Sequence, residues 1–446
     1  MRKRIAQTAA LVALALGLAG SPAWARGSGT FKYAEQVKLI TMDPQQQSGS
    51  GVPYLRPVYE SLFEKGPDGE ALPLLATGYE VDGLDVTITL REGVSFSNGE
   101  AFNAEAAAAN INRGVRLGII EGLQTVESAE AVDEFTLRIR LKEIDPAIIN
   151  SLCYTGGMMI APAAMEDPAL DRNPVGTGPY RIARVDQARQ VDLERFEDYY
   201  QGAPKPRPAI GKIQIRYVPD AATEMTELLA GRADYIWNFN PDQFERIRQH
   251  PRLTAQQQET MRVAFLSIDA AGRTGEGNPL TNQKVRQAIW HAINRQEIAE
   301  RLVRGGSRVP DAPCFPTQFG CDQEAAVVYK FDPEKAKQLL AESGVSELTI
   351  EFWYPTGVSR SYMPDPKAIM ETFKADMEKV GFTVVPKAVP WTPDYVAGIQ
   401  RGDAPMYIVG RLGTYADPSD FLGSLFSNIQ RMATSPAVVE GLEKAL

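Results

Sequence analysis

The sequence predicts an α/β protein, because strand and helix patterns alternate along its second half. Residues 348–353 and 382–385 are short runs rich in β-branched and aromatic side chains, as expected of strands. Between them, residues 367–380 have the apolar spacing of an amphipathic helix, which Gly381 ends. Two strands separated by a helix are typical of a parallel pair.

The alternation continues on both sides of this unit. Thr392 and Pro393 predict the start of a short helix, and residues 406–409 form the next apolar strand. Upstream, one helix is predicted over residues 332–344 and a longer one over residues 285–302. The apolar residues on one face of the longer helix are predicted to be core: Val285, Ala288, Ile289 and Ala292. We therefore expect a largely parallel sheet.

The first half of the chain mixes sheet and helix. Residues 86–90 and 136–141 alternate apolar with polar side chains, which predicts half-buried strands. An alanine-rich helix is predicted over residues 104–112, with Asn103 as its N-cap. The Gly-Thr-Gly run at residues 176–178 lacks the third glycine of a phosphate-binding loop, so we interpret it as a tight turn into a strand.

The N-terminus is typical of a secretory signal peptide over residues 1–25. A basic start precedes an apolar run at residues 9–18, and an uncleaved anchor would need a run nearly twice as long. Ala23 and Ala25 are the small residues that signal peptidase requires, which predicts cleavage after Ala25. The next residue is Arg26 rather than a cysteine for acylation, so we expect a soluble periplasmic protein without a lipid anchor.

Composition and charge are those of an ordinary globular protein. The 446 residues are 44% hydrophobic and 23% charged, which suggests two or three domains. The net charge of -9 becomes -12 when the three basic residues of the signal peptide are removed (-9 minus 3). The sequence has no basic stripe with interleaved aromatic residues, so we expect no nucleic-acid partner.

The three cysteines divide into a pair and a single residue. Cys314 and Cys321 enclose a short loop in an oxidising compartment, which predicts a disulfide. Metal ligation is the alternative, but two thiols without a nearby histidine leave a coordination sphere incomplete. Cys153 lies between Leu152 and Tyr154 and is predicted to be a buried small hydrophobic residue.

The sequence contains no recognisable catalytic constellation. Its two histidines, His250 and His291, have no partner at metal-ligand or acid-base spacing. The G-x-S-x-G, H-E-x-x-H and P-loop motifs are all absent from the sequence. We therefore predict a protein that is not an enzyme and that needs no cofactor. A secreted hydrolase and a chaperone-like or scaffold protein without a defined solute are the alternatives.

Four sequence segments, in order, form a pattern that covers nearly all of the chain after the signal peptide. They are residues 59–62 with 72–76 and 89–99, residues 174–180, residues 278–295, and residues 416–421. The pattern resembles the family 5 extracellular solute-binding proteins, which are the peptide and nickel receptors of ATP-driven importers. Such receptors bind a solute in a cleft and dock on a membrane permease.

The resemblance implies a two-lobed periplasmic-binding-protein fold of type II, which closes by hinge motion, with an extra small α/β domain. Residues 26–57 and 172–262 would form a discontinuous lobe I, residues 58–171 the extra domain, and residues 263–446 lobe II. Motif residues without an expected ligand contact are interpreted as scaffold: Arg91, Gly93, Gly176, Gly178, Arg286 and Arg295.

The sequence departs from this family's pattern in two places. The chain stops at Leu446, where family members usually continue for several dozen residues, so we expect lobe II to be truncated. Thr414 stands where peptide receptors carry an aspartate that holds the amino group of the peptide, and Arg411 stands where an aromatic residue is usual. A negative charge is lost and a positive one gained, which predicts a neutral or anionic solute.

We expect the solute site in the loop over residues 410–417, at the carboxyl end of a strand. The predicted ligand contacts are Trp237, Asn238, Trp391, Arg411, Thr414 and Tyr415. A buried-core position is equally compatible with the two tryptophans, and a salt bridge to Asp417 is the alternative for Arg411. The resemblance implies a peptide or small polar solute and ABC permease subunits at the inner membrane as partners, and we expect a monomer.

Overall fold

The computed structural model describes ten stretches of the chain. The predicted signal peptide and part of the predicted solute site lie outside them. The described residues are 29–46, 51–67, 69–120, 122–237, 239, 243–258, 260–312, 314, 321–324 and 326–413. The predicted signal peptide and the predicted site residues Asn238, Thr414 and Tyr415 therefore lie outside the described residues.

Strands and helices are numbered in chain order within the described residues. The strands are β1 Thr30–Glu35, β2 Phe63–Lys65, β3 Ala71–Pro73, β4 Ala76–Asp82, β5 Asp85–Leu90, β6 Val126–Asp133, β7 Thr136–Leu141, β8 Tyr180–Asp186, β9 Gln190–Arg195, β10 Lys212–Tyr217, β11 Arg262–Ile268, β12 Thr349–Thr356, β13 Thr383–Pro390 and β14 Met406–Leu412. The α-helices are α1 Val52–Leu55, α2 Ala104–Leu117, α3 Ile148–Ser151, α4 Ala221–Leu229, α5 Phe244–Arg248, α6 Gln283–Ala292, α7 Arg295–Ile298, α8 Pro333–Ser343, α9 Pro366–Val380 and α10 Val396–Arg401.

The first sheet joins two distant parts of the chain. Its strand order is β1-β10-β9-β8, with β1 parallel to β10 and the other neighbours antiparallel. Residues 30–35 thus pair with a strand that lies almost two hundred residues later. This connection is the arrangement that a discontinuous first lobe requires, and the exact domain boundaries stay a prediction.

The second large sheet lies within one continuous stretch, in the order β4-β5-β7-β6. The inward side chains of β5 and β7 are buried, as the alternating pattern predicts: Val86, Ile88, Leu90, Leu137, Ile139 and Leu141. Helix α2 packs on this sheet and begins at Asn103, whose side chain accepts a hydrogen bond from the Ala106 amide. The two strands and the helix cap are confirmed, and the helix continues to Leu117, five residues beyond the predicted end.

The third sheet contains the predicted α/β unit and has the order β11-β14-β12-β13. Strand β12 is parallel to both β13 and β14, whereas β11 is antiparallel to β14. Helix α9 connects β12 to β13, begins at Asp365 and ends at Gly381, which has a φ of 118°. The largely parallel sheet and its connecting helix are therefore confirmed.

The long helix predicted over residues 285–302 is wrong, because the structure breaks it. Helix α6 ends at Ala292, and Ile293 has the extended values φ -94° and ψ 122°. The Asn294 side chain then caps α7 by accepting a hydrogen bond from the Glu297 amide, while the Asn294 amide donates to Asp376 on α9 at 3.1 Å. A carboxylate from a distant helix thus makes a second helix start more favourable than continuation of the first.

The predicted short helix near residue 392 also differs in detail. Residues Trp391–Tyr395 form one π-helical turn that leads directly into α10. Pro393 therefore lies within the turn and not at the first position of a new helix. Such turns are inserted where an extra residue must be accommodated in a helical segment.

The cysteines are arranged as a pair and a buried single residue. Cys314 and Cys321 are joined in a disulfide with a Cα–Cα distance of 5.8 Å. Cys153 is a free, buried thiol, and burial raises its pKa to about 12. Within the described ranges, no helix has the length and apolar character that a membrane span requires.

Candidate functional site

A cavity of about 2210 Å³ is lined by the third sheet and its helices and by the segment that follows α4. One wall consists of residues 234–237, which follow α4 and are held against β1 by a hydrogen bond of 3.1 Å from the Ala34 amide to the Tyr235 carbonyl. The opposite wall consists of β11 together with residues of α6 and α9. A large cleft lined by apolar side chains with a few polar groups is the expected position for a solute site.

The structure separates the predicted site residues that it describes. Trp237 lines the cavity, whereas Trp391 and Arg411 are not among the described residues that do so. Trp391 lies at the edge of the third-sheet core, where its ring stacks on Tyr395 at a centroid distance of 5.8 Å. Arg411 lies within β14, opposite Val263 on β11. The strand ends at Leu412, three residues beyond the 406–409 prediction, so residues 410–412 belong to the strand and not to the predicted loop.

Trp237 is held in the cleft by a buried carboxylate. Its indole Nε1 donates a hydrogen bond of 2.8 Å to Oε2 of Glu35, which is 1% exposed. Glu35 also accepts hydrogen bonds from the Tyr33 hydroxyl and the Val37 amide. Because buried polar atoms are costly to leave without a partner, these three donors fix both the carboxylate and the indole.

Arg262 faces Trp237 across the cleft. The guanidinium lies 5.5 Å from the centre of the Trp237 ring and donates a hydrogen bond of 2.8 Å to the Ser361 hydroxyl. Burial lowers the pKa of Arg262, and the positive charge of Arg360 lowers it further. Trp237 belongs to the wall beside the first sheet and Arg262 to the third sheet, so this cation–π contact connects the two walls.

The cavity wall is positively charged. Seven of its described residues are basic and three are acidic, whereas the whole chain has a net charge of -9. The basic residues are Lys65, Arg252, Arg262, Arg286, Arg295, Arg304 and Arg308, and the acidic ones are Asp234, Glu245 and Asp311. Concentration of positive charge in a cleft of an acidic protein favours an anionic ligand.

Sequence reasoning did not identify Arg262 as a site residue. It is the first residue of an ordinary apolar strand, and only the register of β11 in the third sheet places it opposite Trp237. Arg286 and Arg295 were assigned to the scaffold, and each does bind backbone carbonyls: Arg286 those of Leu280 and Thr281, and Arg295 that of Tyr329. Both residues also line the cavity.

A second buried carboxylate lies behind the Trp237 wall. Glu224 on α4 is 1% exposed and accepts a hydrogen bond of 2.7 Å from the side-chain Nε2 of Gln36. Burial raises the pKa of Glu224 to about 7, and the negative charge of Glu35 adds to this rise. No group of three acidic, histidine or cysteine residues suited to a metal ion occurs in the part of the chain that the structure describes.

We expect Glu224 to make the stability of the protein fall as the pH rises. Its pKa is 4.5 in the unfolded chain and about 7 in the folded protein, so the unfolded state ionises first. The stability present below pH 4.5 is lost between about pH 4.5 and 7. Substitution Glu224→Gln should flatten this slope and raise the free energy of unfolding at pH 8 by about 2 kcal/mol.

Urea unfolding between pH 5 and 9 measures this effect, with Glu227→Gln on the same helix as the control. Arg216 and Arg232 hold the pKa of Glu227 below its usual value, so its contribution changes only at more acidic pH. An unchanged slope in Glu224→Gln would contradict the assignment.

Comparison with known proteins identifies the family. The profile of the bacterial extracellular solute-binding proteins, family 5 (middle part), matches residues 70–432. Heme-binding protein A of Haemophilus influenzae is 30% identical over 407 residues, which cover 83% of this chain and 72% of that protein. The glutathione-binding protein GsiB of Salmonella typhi is 31% identical over 357 residues, which cover 77% of this chain and 66% of that protein.

A solved structure has the same fold. NikA from Brucella suis in complex with Fe(III)-EDTA matches with a TM-score of 0.77 at 23% identity, over 94% of this chain and 90% of that chain. The predicted two-lobed fold of mixed α/β sheets is thereby confirmed. Because the family profile matches most of the chain and the relatives agree with it, this protein belongs to the bacterial extracellular solute-binding proteins, family 5.

Proposed function

We propose that this protein is the periplasmic receptor of an ABC importer, and that it captures a small anionic solute in the cleft and delivers it to a membrane permease. The charge of the cavity lining supports an anionic solute. The lining has seven basic and three acidic residues, although the chain as a whole has a net charge of -9. The receptor itself catalyses no reaction, and ATP hydrolysis belongs to its partner.

Two of the relatives support an anionic solute. One is a heme-binding protein and another a glutathione-binding protein, and both of these ligands carry carboxylate groups. The threonine at position 414 supports the same proposal, because a hydroxyl compensates a buried ammonium group less well than an aspartate would. A peptide with a blocked amino group and a free carboxylate fits these conditions.

The contact between Trp237 and Arg262 supports capture by cleft closure. The two residues lie on opposite walls, so a solute carboxylate that binds Arg262 and packs on Trp237 contacts both walls at once. A ligand favours a closed state only through such contacts, which the open state lacks. Small-angle scattering should therefore show a smaller radius of gyration when the ligand is saturating.

The charge requirement is tested by titration calorimetry with three probes that differ in their termini. These are Ala-Ala, N-acetyl-Ala-Ala and Ala-Ala-amide. We expect the acetylated peptide to bind at least as tightly as the free dipeptide and the amide to bind about 10 to 100 times more weakly, since a charge-assisted hydrogen bond is lost. Binding that requires the free amine and survives amidation would refute the proposal.

Substitution Arg262→Ala should weaken binding of N-acetyl-Ala-Ala by about 10 to 100 times, and Arg262→Lys should have a smaller effect because the charge is kept. The matched control is Arg248→Ala, which removes an exposed arginine paired with Glu245 within α5 and outside the cavity lining. Equal affinities of Arg262→Ala and Arg248→Ala would remove Arg262 from the site.

A further inference from the structure

A large aromatic side chain that is not among the predicted site residues, Trp290, is exposed in the cleft. Its exposed fraction is 44%, and it lines the same cavity as Trp237. Of the tryptophans in the described residues, Trp290 alone falls in the exposed class. An indole exposed inside a cleft offers a flat apolar surface on which a ligand ring can pack.

The position of Trp290 follows from the packing of α6. The helix buries Val285, Ala288, Ile289 and Ala292 against the third-sheet core, so residue 290 points to the other side. Trp290 is therefore not a core residue that has been pushed outward. It lies on the cavity face of the helix.

Arg295 covers one face of the indole. Its guanidinium lies 4.6 Å from the ring centre of Trp290 and donates a hydrogen bond of 2.6 Å to the Tyr329 carbonyl, which fixes the orientation of the charge. No ion pair of Arg295 within 4.0 Å occurs among the described residues. The guanidinium covers this part of the indole, so a ligand ring can pack only on the part of Trp290 that stays exposed.

Tyr329 extends the aromatic surface. Its ring centre lies 5.8 Å from that of Trp290, and the ring of His291 contacts it edge-on at 5.6 Å. The segment is attached to α6 by a hydrogen bond of 2.7 Å between His291 Nδ1 and the Lys330 carbonyl. The rings and the cation are thus held in place before a ligand arrives, which lowers the entropy cost of binding.

We propose that Trp290, backed by Arg295 and extended by Tyr329, forms a subsite that binds a planar aromatic or conjugated group of the solute. The inference rests on the proposed function and makes the solute class narrower: an anion that carries a flat ring. The ligand ring packs on the exposed part of the Trp290 indole, and the anionic group is attracted by the arginines of the same cavity.

The experiment compares two carboxylates with the same carbon skeleton, planar 2-naphthoate and saturated decahydro-2-naphthoate, by titration calorimetry. We expect the wild-type protein to bind the planar anion about 10 times more tightly. Trp290→Ala should abolish this preference while the affinity for the saturated anion stays the same, and Trp290→Phe should retain most of it. Phe331→Ala, which removes an exposed aromatic ring outside the cavity lining, is the control and should change neither affinity.

The possible failures have different signatures. Equal affinity of the wild-type protein for both anions, with binding still dependent on Arg262, would overturn the aromatic subsite and leave the anion receptor in place. Equal weakening of both anions in Trp290→Ala would likewise overturn it, because the ring would then act on the fold alone. If 2-naphthoate, its saturated analogue and N-acetyl-Ala-Ala all fail to bind, the proposed function is wrong and the subsite is wrong with it.

Discussion

Substitution Asp43→Ala is expected to lower the free energy of unfolding by about 3–5 kcal/mol, because it leaves a buried arginine charge without its partner. Arg113 on α2 donates two hydrogen bonds to the Asp43 carboxylate, at 2.7 and 3.2 Å, and the two residues are 6% and 2% exposed. Arg113 also donates to the Gln45 side chain at 2.7 Å. The pair therefore ties the segment after β1 to the helix that covers the second sheet.

The effect is measured by urea unfolding of Asp43→Ala beside an exposed ion pair. The control is Glu130→Ala, which breaks the surface pair of Glu130 with Arg138 and should cost less than about 1 kcal/mol. Replacement of both partners, Asp43→Leu with Arg113→Met, should recover much of the loss because no charge then stays buried. A single-substitution loss as small as that of the control would show that water or Glu166, whose carboxylate lies 4.0 Å from Nε of Arg113, compensates the charge of the arginine.

The elements that the sequence predicted well are those whose patterns are local. Alternation of apolar residues in β5 and β7, and the Asn103 cap of α2, depend on side chains only a few residues apart. The break after α6 was not predicted, since it depends on Asp376, which lies 82 residues further along the chain. The bond between Asp43 and Arg113 spans 70 residues and has no periodic signature.

The site was predictable only in part, for a related reason. The sequences around Trp237 and Trp391 do not distinguish a cleft residue from a core residue, and the fold places only the former in the cavity. For Trp290, helical periodicity indicates that it leaves the core face of α6. Periodicity does not tell whether solvent or a cleft lies beyond that face, because the answer depends on how the sheets are arranged.

Substitution Gly178→Ala is expected to lower the free energy of unfolding by about 3 kcal/mol, since an added methyl group would collide with main-chain atoms. A Cβ atom at this position would lie 2.6 Å from the carbonyl oxygens of both Pro57 and Val58. The Gly178 amide donates to the Val58 carbonyl at 2.9 Å, and the Tyr180 amide donates to the Pro57 carbonyl at 3.0 Å. The methyl group would therefore force these two segments apart and weaken both hydrogen bonds.

Gly178 is required here for close approach of two main chains, because its φ is not among the positive values of the chain. The matched control is Gly78→Ala in β4, where an added Cβ has no atom within 4 Å, and which should change stability by less than about 1 kcal/mol. Urea unfolding of the two variants separates the steric effect from the general difference between glycine and alanine. Residues 57–58 and 178–180 meet where the first lobe and the small domain are predicted to join. Equal free energies of unfolding of the two variants would mean that these two segments can move apart to admit a methyl group without loss of stability.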